Sequence, residues 1–174
     1  MVTDPSGAME TREQVTVLFC GDSGDGMQLT GNQLTATSAR YGNDVSTLPD
    51  YPSEIRAPAG SLAGVSAFQL HFASHEIHTP GDNPDVLVAM NPASLRLYLP
   101  RLQPGGVLVV DRDAFNDRGL ARAGYESNPL EEPALASRYS LHALPVTTLT
   151  QQALAGLDLK RSVKTRCKNF FALG

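Results

Sequence analysis

The sequence predicts an α/β fold: a doubly wound, mostly parallel sheet with helices on both faces, a Rossmann-like three-layer sandwich. Three observations carry this. Short apolar runs of the kind that form buried parallel strands recur at residues 15–20, 85–90 and 107–110. Between them lie stretches of helical spacing joined by short loops, the pattern of βαβ units. The first apolar run also enters a glycine-rich loop that opens a helix, as a strand–loop–helix unit requires.

Each element follows from local composition. Residues 15–20 are apolar and β-branched and stop at glycines, and 21–26 form a tight loop. Residues 27–41 read as a helix, with Leu29, Leu34 and the alanines at 36 and 39 on its apolar positions and Gly42 at its C-terminal end. A second strand is expected over 44–48. A third spans 63–72, where Val65, Ala67, Gln69 and His71 alternate with Ser66, Phe68, Leu70 and Phe72. After the strand at 85–90, Pro92 starts a short helix to 101, since proline is tolerated in a first turn. Pro104-Gly105-Gly106 turns into the strand at 107–110, which ends at Asp111. Residues 112–137 are polar with scattered Gly and Pro and read as an irregular insertion. A last strand at 140–145 and a helix at 147–157 follow. The segment from Lys168 to Gly174 begins an apolar helical pattern that stops without a cap or polar tail.

A chain of 174 residues, 41% hydrophobic and 18% charged, suffices for one domain with a sizeable core. Its net charge of −4 gives no electrostatic footprint for nucleic acid, and no basic amphipathic stretch suits a membrane surface. No apolar run approaches the roughly 18–20 residues that cross a bilayer. The first dozen residues lack the apolar core of a signal peptide, so residues 1–13 are read as a disordered leader. Cys20 and Cys167 are too few and too far apart in sequence for a disulfide framework or zinc site, and suit a reducing cytoplasm.

Three segments could carry chemistry. Gly21-Asp22-Ser23-Gly24-Asp25-Gly26 sits where backbone N–H groups and a helix N-terminus can receive a phosphate. Its two aspartates repel a bare phosphate unless a cation or ribose hydroxyls intervene. The alternative is a ligand-free turn with capping aspartates. The segment 49–60 holds three prolines and a closing glycine, so it is no regular element, and connections this long are often functional. Within it Glu54 and Arg56 offer either a solvated ion pair or a carboxylate and a guanidinium fork for recognition. Asn91, before Pro92, stands at the carboxyl edge of the sheet, where open α/β folds bind ligands, or else simply caps the next helix. His71, His75 and His78 do not share one strand face and have no supporting carboxylate or cysteine spacing, so ordinary strand and surface positions are expected. Ser23, Ser53 and Ser66 lie in no nucleophile elbow, and no catalytic triad is visible.

In their joint order, the loop at 21–26, Glu54-Ile55-Arg56, residues 85–92, the Pro-Gly-Gly strand and Lys168-Asn169-Phe170-Phe171-Ala172-Leu173-Gly174 resemble one family. They look like the gamma domain of 2-oxoacid:ferredoxin oxidoreductases, in the form fused ahead of a pyrimidine-binding alpha domain. The resemblance covers residues 15–174 and implies a gamma-type domain over 14–174, cut before its C-terminal helix and the following thiamine-pyrimidine-binding domain. It implies oxidative decarboxylation of a 2-oxoacid with coenzyme A, with electrons passed to ferredoxin. Thiamine diphosphate, magnesium and the iron–sulfur cluster would then reside in other domains or in the beta subunit. The gamma domain would contribute to coenzyme A binding or interdomain packing through the 21–26 loop, Glu54, Arg56 and Asn91. Stand-alone gamma subunits tend to carry G-x-G-G-x-G in the first loop, whereas Gly-Asp-Ser-Gly-Asp-Gly looks more like the fused 2-oxoglutarate type. Gly24-Asp25-Gly26 matches the start of a thiamine diphosphate signature but lacks its downstream Asn pair, since Asn43 is too near and stands alone. No cysteine cluster can hold an iron–sulfur centre. The isolated domain is therefore expected to be inert.

Two other readings fit parts of the sequence. An S-adenosylmethionine-dependent methyltransferase shares the Gly-rich loop and the turn at 102–108, but it needs an acidic residue closing the second strand. The candidate, Asp50, is expected in the loop beyond Pro49. A nicotinamide-binding domain is disfavoured on similar grounds. The remaining reading is a non-catalytic domain that only packs against its neighbours.

Overall fold

A computed structural model of the chain describes residues 11–51 and 64–173. Six strands form one sheet: β1 (Gln14–Asp22), β2 (Asp44–Asp50), β3 (Val65–Ala73), β4 (Val86–Ala89), β5 (Val107–Asp111) and β6 (Ser140–Leu144), in the order β2-β3-β1-β4-β5-β6. The β1–β4, β4–β5 and β5–β6 pairs are parallel, while β3 runs antiparallel to both β1 and β2. The mostly parallel α/β sheet expected from the apolar runs is what forms.

Helices cover both faces. On one face α1 (Met27–Arg40), α5 (Val146–Ala153) and the segment after α7 (Lys168–Phe171) bring Met27, Val146 and Leu173 against Val17, Phe19 and Val88. On the other, α2 (Pro92–Tyr98), α3 (Asp117–Arg122) and α4 (Pro133–Arg138) bring Leu95, Tyr98 and Leu135 against Leu18, Leu87 and Leu108. Covering both faces explains why β1 and β4 are continuously apolar and not alternating. Removing such surface from water stabilises the fold by roughly 25 cal/mol per Å². Close packing of α1 on β3 depends on Gly31, because a Cβ there would collide with the Phe68 ring.

The structure departs from the sequence reading in four places. Residues 112–137 are not irregular. A 3-10 turn (Arg112–Ala114), α3, a second 3-10 turn (Pro129–Glu131) and α4 occupy them, with Asn116 capping α3 through Gly119 N–H at 3.0 Å. Helices of six residues are too short to display a 3.6 period, so their apolar anchors Phe115, Leu120 and Leu135 read as scattered. The helix expected over 147–157 stops at Ala153, and a further helix, α6 (Arg161–Arg166), precedes α7. The first strand extends through Gly21 and Asp22, which pair with Ser66 and Val65. Finally, Asp50 is not in a loop beyond Pro49 but is the last residue of β2, paired with Ala67. β2 is an edge strand, where proline is tolerated because one side of the backbone needs no ladder partner.

β3 keeps its expected alternation, yet its polar positions are buried too. Gln69 donates to the carbonyls of Pro80 (2.8 Å) and Gly81 (2.7 Å) and accepts from Arg101 at 2.6 Å. His71 is a buried strand residue whose Nδ1 lies 2.9 Å from the Thr79 carbonyl. These bonds satisfy the polar groups that burial would otherwise penalise, and they tie the 74–85 connection to the sheet.

Candidate functional site

β1 leads through α1 toward β2 and β3, whereas β4 leads through α2 to β5 on the opposite side. The chain therefore reverses its winding direction between β1 and β4. In open α/β sheets such a switch point leaves a crevice at the carboxyl ends of the two strands, where ligands bind. The loop after β1 and Asn91 after β4 both stand there. Because β3 is antiparallel, the end of β2 and the start of β3 lie at this edge as well.

The sequence-predicted residues meet directly. Asn91 Nδ2 donates to Asp22 Oδ1 at 2.9 Å. Asn91 also caps α2: its Oδ1 accepts from Ser94 N–H at 2.8 Å, and its own N–H donates to Ser94 Oγ at 3.3 Å. The Asn91 side chain thus caps α2 and at the same time ties the end of β4 to Asp22. Within the loop, the Asp25 carboxylate folds back so that Oδ2 accepts the Asp22 N–H at 3.0 Å, and Asp25 N–H donates to the Asp22 carbonyl at 2.9 Å. Ser23 N–H donates across to the Gly64 carbonyl at 3.2 Å, fixing the loop to the start of β3. Glu54 and Arg56 lie outside the described residues.

Two further residues belong to the cluster and were missed. Lys168 Nζ sits 2.8 Å from Asp25 Oδ1, with side chains only 12% and 14% exposed, so the pair is far less screened than a surface ion pair. Asn169 is buried against Gly26, and its carbonyl accepts from Thr30 Oγ1 at 3.4 Å. Gly26 itself has φ 75°, the left-handed conformation glycine adopts without strain. The only sequence signal for this contact was a polar Lys-Asn pair heading an apolar run.

The electrostatics follow from this geometry. The Asp22 carboxyl titrates above its ordinary range, chiefly through burial and further through the neighbouring Asp25 carboxylate. The cations Arg122 and Lys168 and the Asn91 amide act in the opposite direction. Behind the site, burial pushes the Cys20 thiol up to about 12, and its S–H faces the Val88 carbonyl at 3.5 Å. At the β2 end, Tyr98 O–H donates to Asp50 Oδ2 at 2.5 Å, and burial together with this bond raises the phenol. The carboxylate that a methyltransferase would turn toward a ribose is therefore engaged by Tyr98.

This arrangement can accept hydrogen bonds at Asp22, whose carboxylate has lone pairs beyond the one Asn91 uses. As a phosphate cradle it is already partly filled, since the amides of Asp22, Ser23 and Asp25 are paired within the chain. The residues present do not fit an iron–sulfur cluster, which takes four thiolate or imidazole donors: the sequence has two cysteines, one of them buried. Among the described residues, no group of His, Cys, Asp or Glu is placed to hold a metal ion. No described helix is long and apolar enough to cross a membrane.

Comparison with known proteins adds what geometry alone does not. The model of the pyruvate ferredoxin/flavodoxin oxidoreductase family matches residues 16–174. The chain belongs to this family. It is 51% identical, over 93% of its length, to the 2-oxoglutarate oxidoreductase subunit KorA of Mycobacterium tuberculosis, and spans 25% of that relative. Its fold is shared with a 2-oxoglutarate:ferredoxin oxidoreductase from Magnetococcus marinus, solved with 2-oxoglutarate, coenzyme A and succinyl-CoA bound. There the TM-score is 0.66 at 22% identity, covering 91% of this chain and 23% of the other. It is shared too with a keto/oxoacid ferredoxin oxidoreductase gamma subunit from Geobacter sulfurreducens, with a TM-score of 0.61 at 19% identity, covering 91% and 73%. These likenesses give the methyltransferase reading no support.

Proposed function

We propose that this chain is the gamma-type domain of a 2-oxoglutarate:ferredoxin oxidoreductase and that its switch-point edge contributes to binding coenzyme A. The observation that carries this is the meeting of the 21–26 loop, Asn91 and Lys168 at one sheet edge, in a chain that matches the family along nearly its whole length. The M. marinus enzyme, with the same fold in part of its chain, was solved with coenzyme A bound. In the assembled enzyme a 2-oxoacid is oxidatively decarboxylated to its acyl-CoA. Thiamine diphosphate with magnesium would supply the electron sink there, and an iron–sulfur cluster the outlet to ferredoxin. Those groups would be held by a pyrimidine-binding alpha domain and a beta subunit. The enzyme works in the cytoplasm.

The role of this chain's residues is binding and orientation. Asp22, held in place by Asn91, presents acceptor lone pairs suited to hydroxyl or amine groups, and the fork of Arg56 suits a phosphate. Arg56 and Glu54 belong to the connection between β2 and β3, whose flanking strands end at this same edge.

A pure packing role is favoured by one observation, the internal pairing of three loop amides. Steady-state kinetics of the assembled enzyme separate the two. Asn91→Ala and Arg56→Ala should each raise the KM for coenzyme A several-fold while leaving the KM for 2-oxoglutarate alone. An unchanged KM for coenzyme A in both variants leaves the packing role. Calorimetric binding of S-adenosylmethionine or NAD in place of coenzyme A would overturn the assignment altogether.

A further inference from the structure

The 21–26 loop carries two carboxylates at an edge proposed to meet an anionic co-substrate, and the structure shows how one of them is neutralised. Asp25 touches Lys168 through Oδ1 and the Asp22 amide through Oδ2. Asp22 in turn holds Asn91. Lys168 thus stands at the head of a chain of contacts running Lys168–Asp25–Asp22–Asn91 across the switch point. Beside it, buried Asn169 packs on Gly26, and its carbonyl receives the Thr30 hydroxyl from the first turn of α1.

We propose that Lys168 and Asn169 are positioning residues for coenzyme A: Lys168 cancels the Asp25 charge and pins that carboxylate over the Asp22 amide, and Asn169 wedges the start of α1. The proposal rests on the coenzyme A reading above. Its physical content is electrostatic. With Lys168 in place, Asp25 is ion-paired and the loop's other carboxylate, Asp22, is moderated by Arg122 and the Asn91 amide. Without it, two like charges face the phosphates, and the Asp25 side chain has no cation to hold it away from them. At a separation of several ångströms and an effective dielectric near 20, one extra unit charge weakens phosphate binding on the order of tenfold after screening.

The test is a charge-cancellation cycle in the assembled oxidoreductase, with coenzyme A as the varied substrate. Lys168→Met should raise the KM for coenzyme A about tenfold with the KM for 2-oxoglutarate unchanged. The double variant Lys168→Met with Asp25→Asn removes both charges and should return that KM to within about twofold of wild type. Lys168→Arg keeps the charge and should stay close to wild type. Asn169→Ala should raise the same KM without altering its dependence on ionic strength, whereas the Lys168→Met effect should shrink at high salt. If Lys168→Met lowers thermal stability but leaves the KM for coenzyme A unmoved, or if removing Asp25 does not rescue it, the inference fails. Asn91→Ala run in parallel separates this from failure of the underlying reading. An Asn91 effect without a Lys168 effect overturns only the positioning role, and neither effect overturns both.

Discussion

Replacing Asn91 by alanine tests the switch point most directly, because one side chain makes both the cap of α2 and the bond to Asp22. Loss of an Asn N-cap costs about 1 kcal/mol. Loss of a hydrogen bond to a charged, half-buried acceptor costs about 1.5–3 kcal/mol. Together the variant should lose about 3 kcal/mol, or roughly 6–12 °C in Tm for a domain of this size. Asn91→Asp separates the two contributions, since aspartate caps as well as asparagine but sets a carboxyl against Asp22 Oδ1. The new pair cannot ionise fully, so its folded-state pKa is raised above the unfolded value near 3.9. A raised carboxyl favours folding most below the unfolded value, and that contribution is lost as pH rises through the folded value. Asn91→Asp should therefore approach wild-type stability near pH 4 and fall toward Asn91→Ala at pH 7. Wild-type Asp22, itself raised, shifts in the same sense, so the difference between variant and wild type is the quantity to follow. Urea unfolding monitored by far-UV circular dichroism at both pH values measures it. If Asn91→Ala costs no more than the cap, or Asn91→Asp parallels wild type across this range, the Asn91–Asp22 bond contributes nothing.

Gly31→Ala should destabilise the chain by about 1–3 kcal/mol through forced displacement of Phe68, and a smaller residue at position 68 should recover part of the loss in a thermal melt. Tyr98→Phe should cost about 1.5–3 kcal/mol at neutral pH by removing the 2.5 Å bond to Asp50. Because the Tyr98 phenol is raised, its contribution is complete below its ordinary value near 10 and is lost as pH climbs above that. The variant and wild type should therefore converge in alkaline unfolding curves. Cys20 is buried, with its thiol near 12, whereas Cys167 is part-exposed, so a disulfide reagent at pH 8 should titrate one thiol in the native chain and two in urea.

The parts of this molecule legible in its sequence are those whose cause is local. β1, β4 and β5 are buried on both faces and therefore announce themselves as continuous apolar runs, and α1 is long enough to show its period. The turn at 21–26 and the Asn91 cap are legible because strand-to-helix turns carry recognisable residue types. What stayed hidden is long-range or short in extent. The pairing of Thr30 with Asn169 spans 139 residues, and no window of sequence contains both it and the Lys168–Asp25 contact. α3 and α4 are less than two turns long. Pro49 argues locally against a strand through Asp50, but the strand-breaking habit of proline does not apply on an edge. Gln69 and His71 resemble solvent-facing strand residues until their partners in the 74–85 connection are known.

The glycines of the first loop show how the structure alters the chemistry read from it. In sequence they admit close approach of a phosphate to the backbone. In the fold, two of the three have internal reasons. A Cβ on Gly21 would come within 2.9 Å of Asp25 Oδ2, so Gly21 makes room for the chain's own carboxylate. Gly26 yields to Asn169 and turns through positive φ. Only Gly24 faces open space, with no atom within 4 Å of where its Cβ would stand. Substitution at Gly21 or Gly26 therefore perturbs the fold before it reports on any ligand, whereas an alanine at Gly24 meets no neighbour in the chain. Gly24 is thus the loop position where an added side chain tests the coenzyme A proposal with the least disturbance of the fold. The charge of Asp25 in this loop is therefore compensated from within the chain, by Lys168 at 2.8 Å.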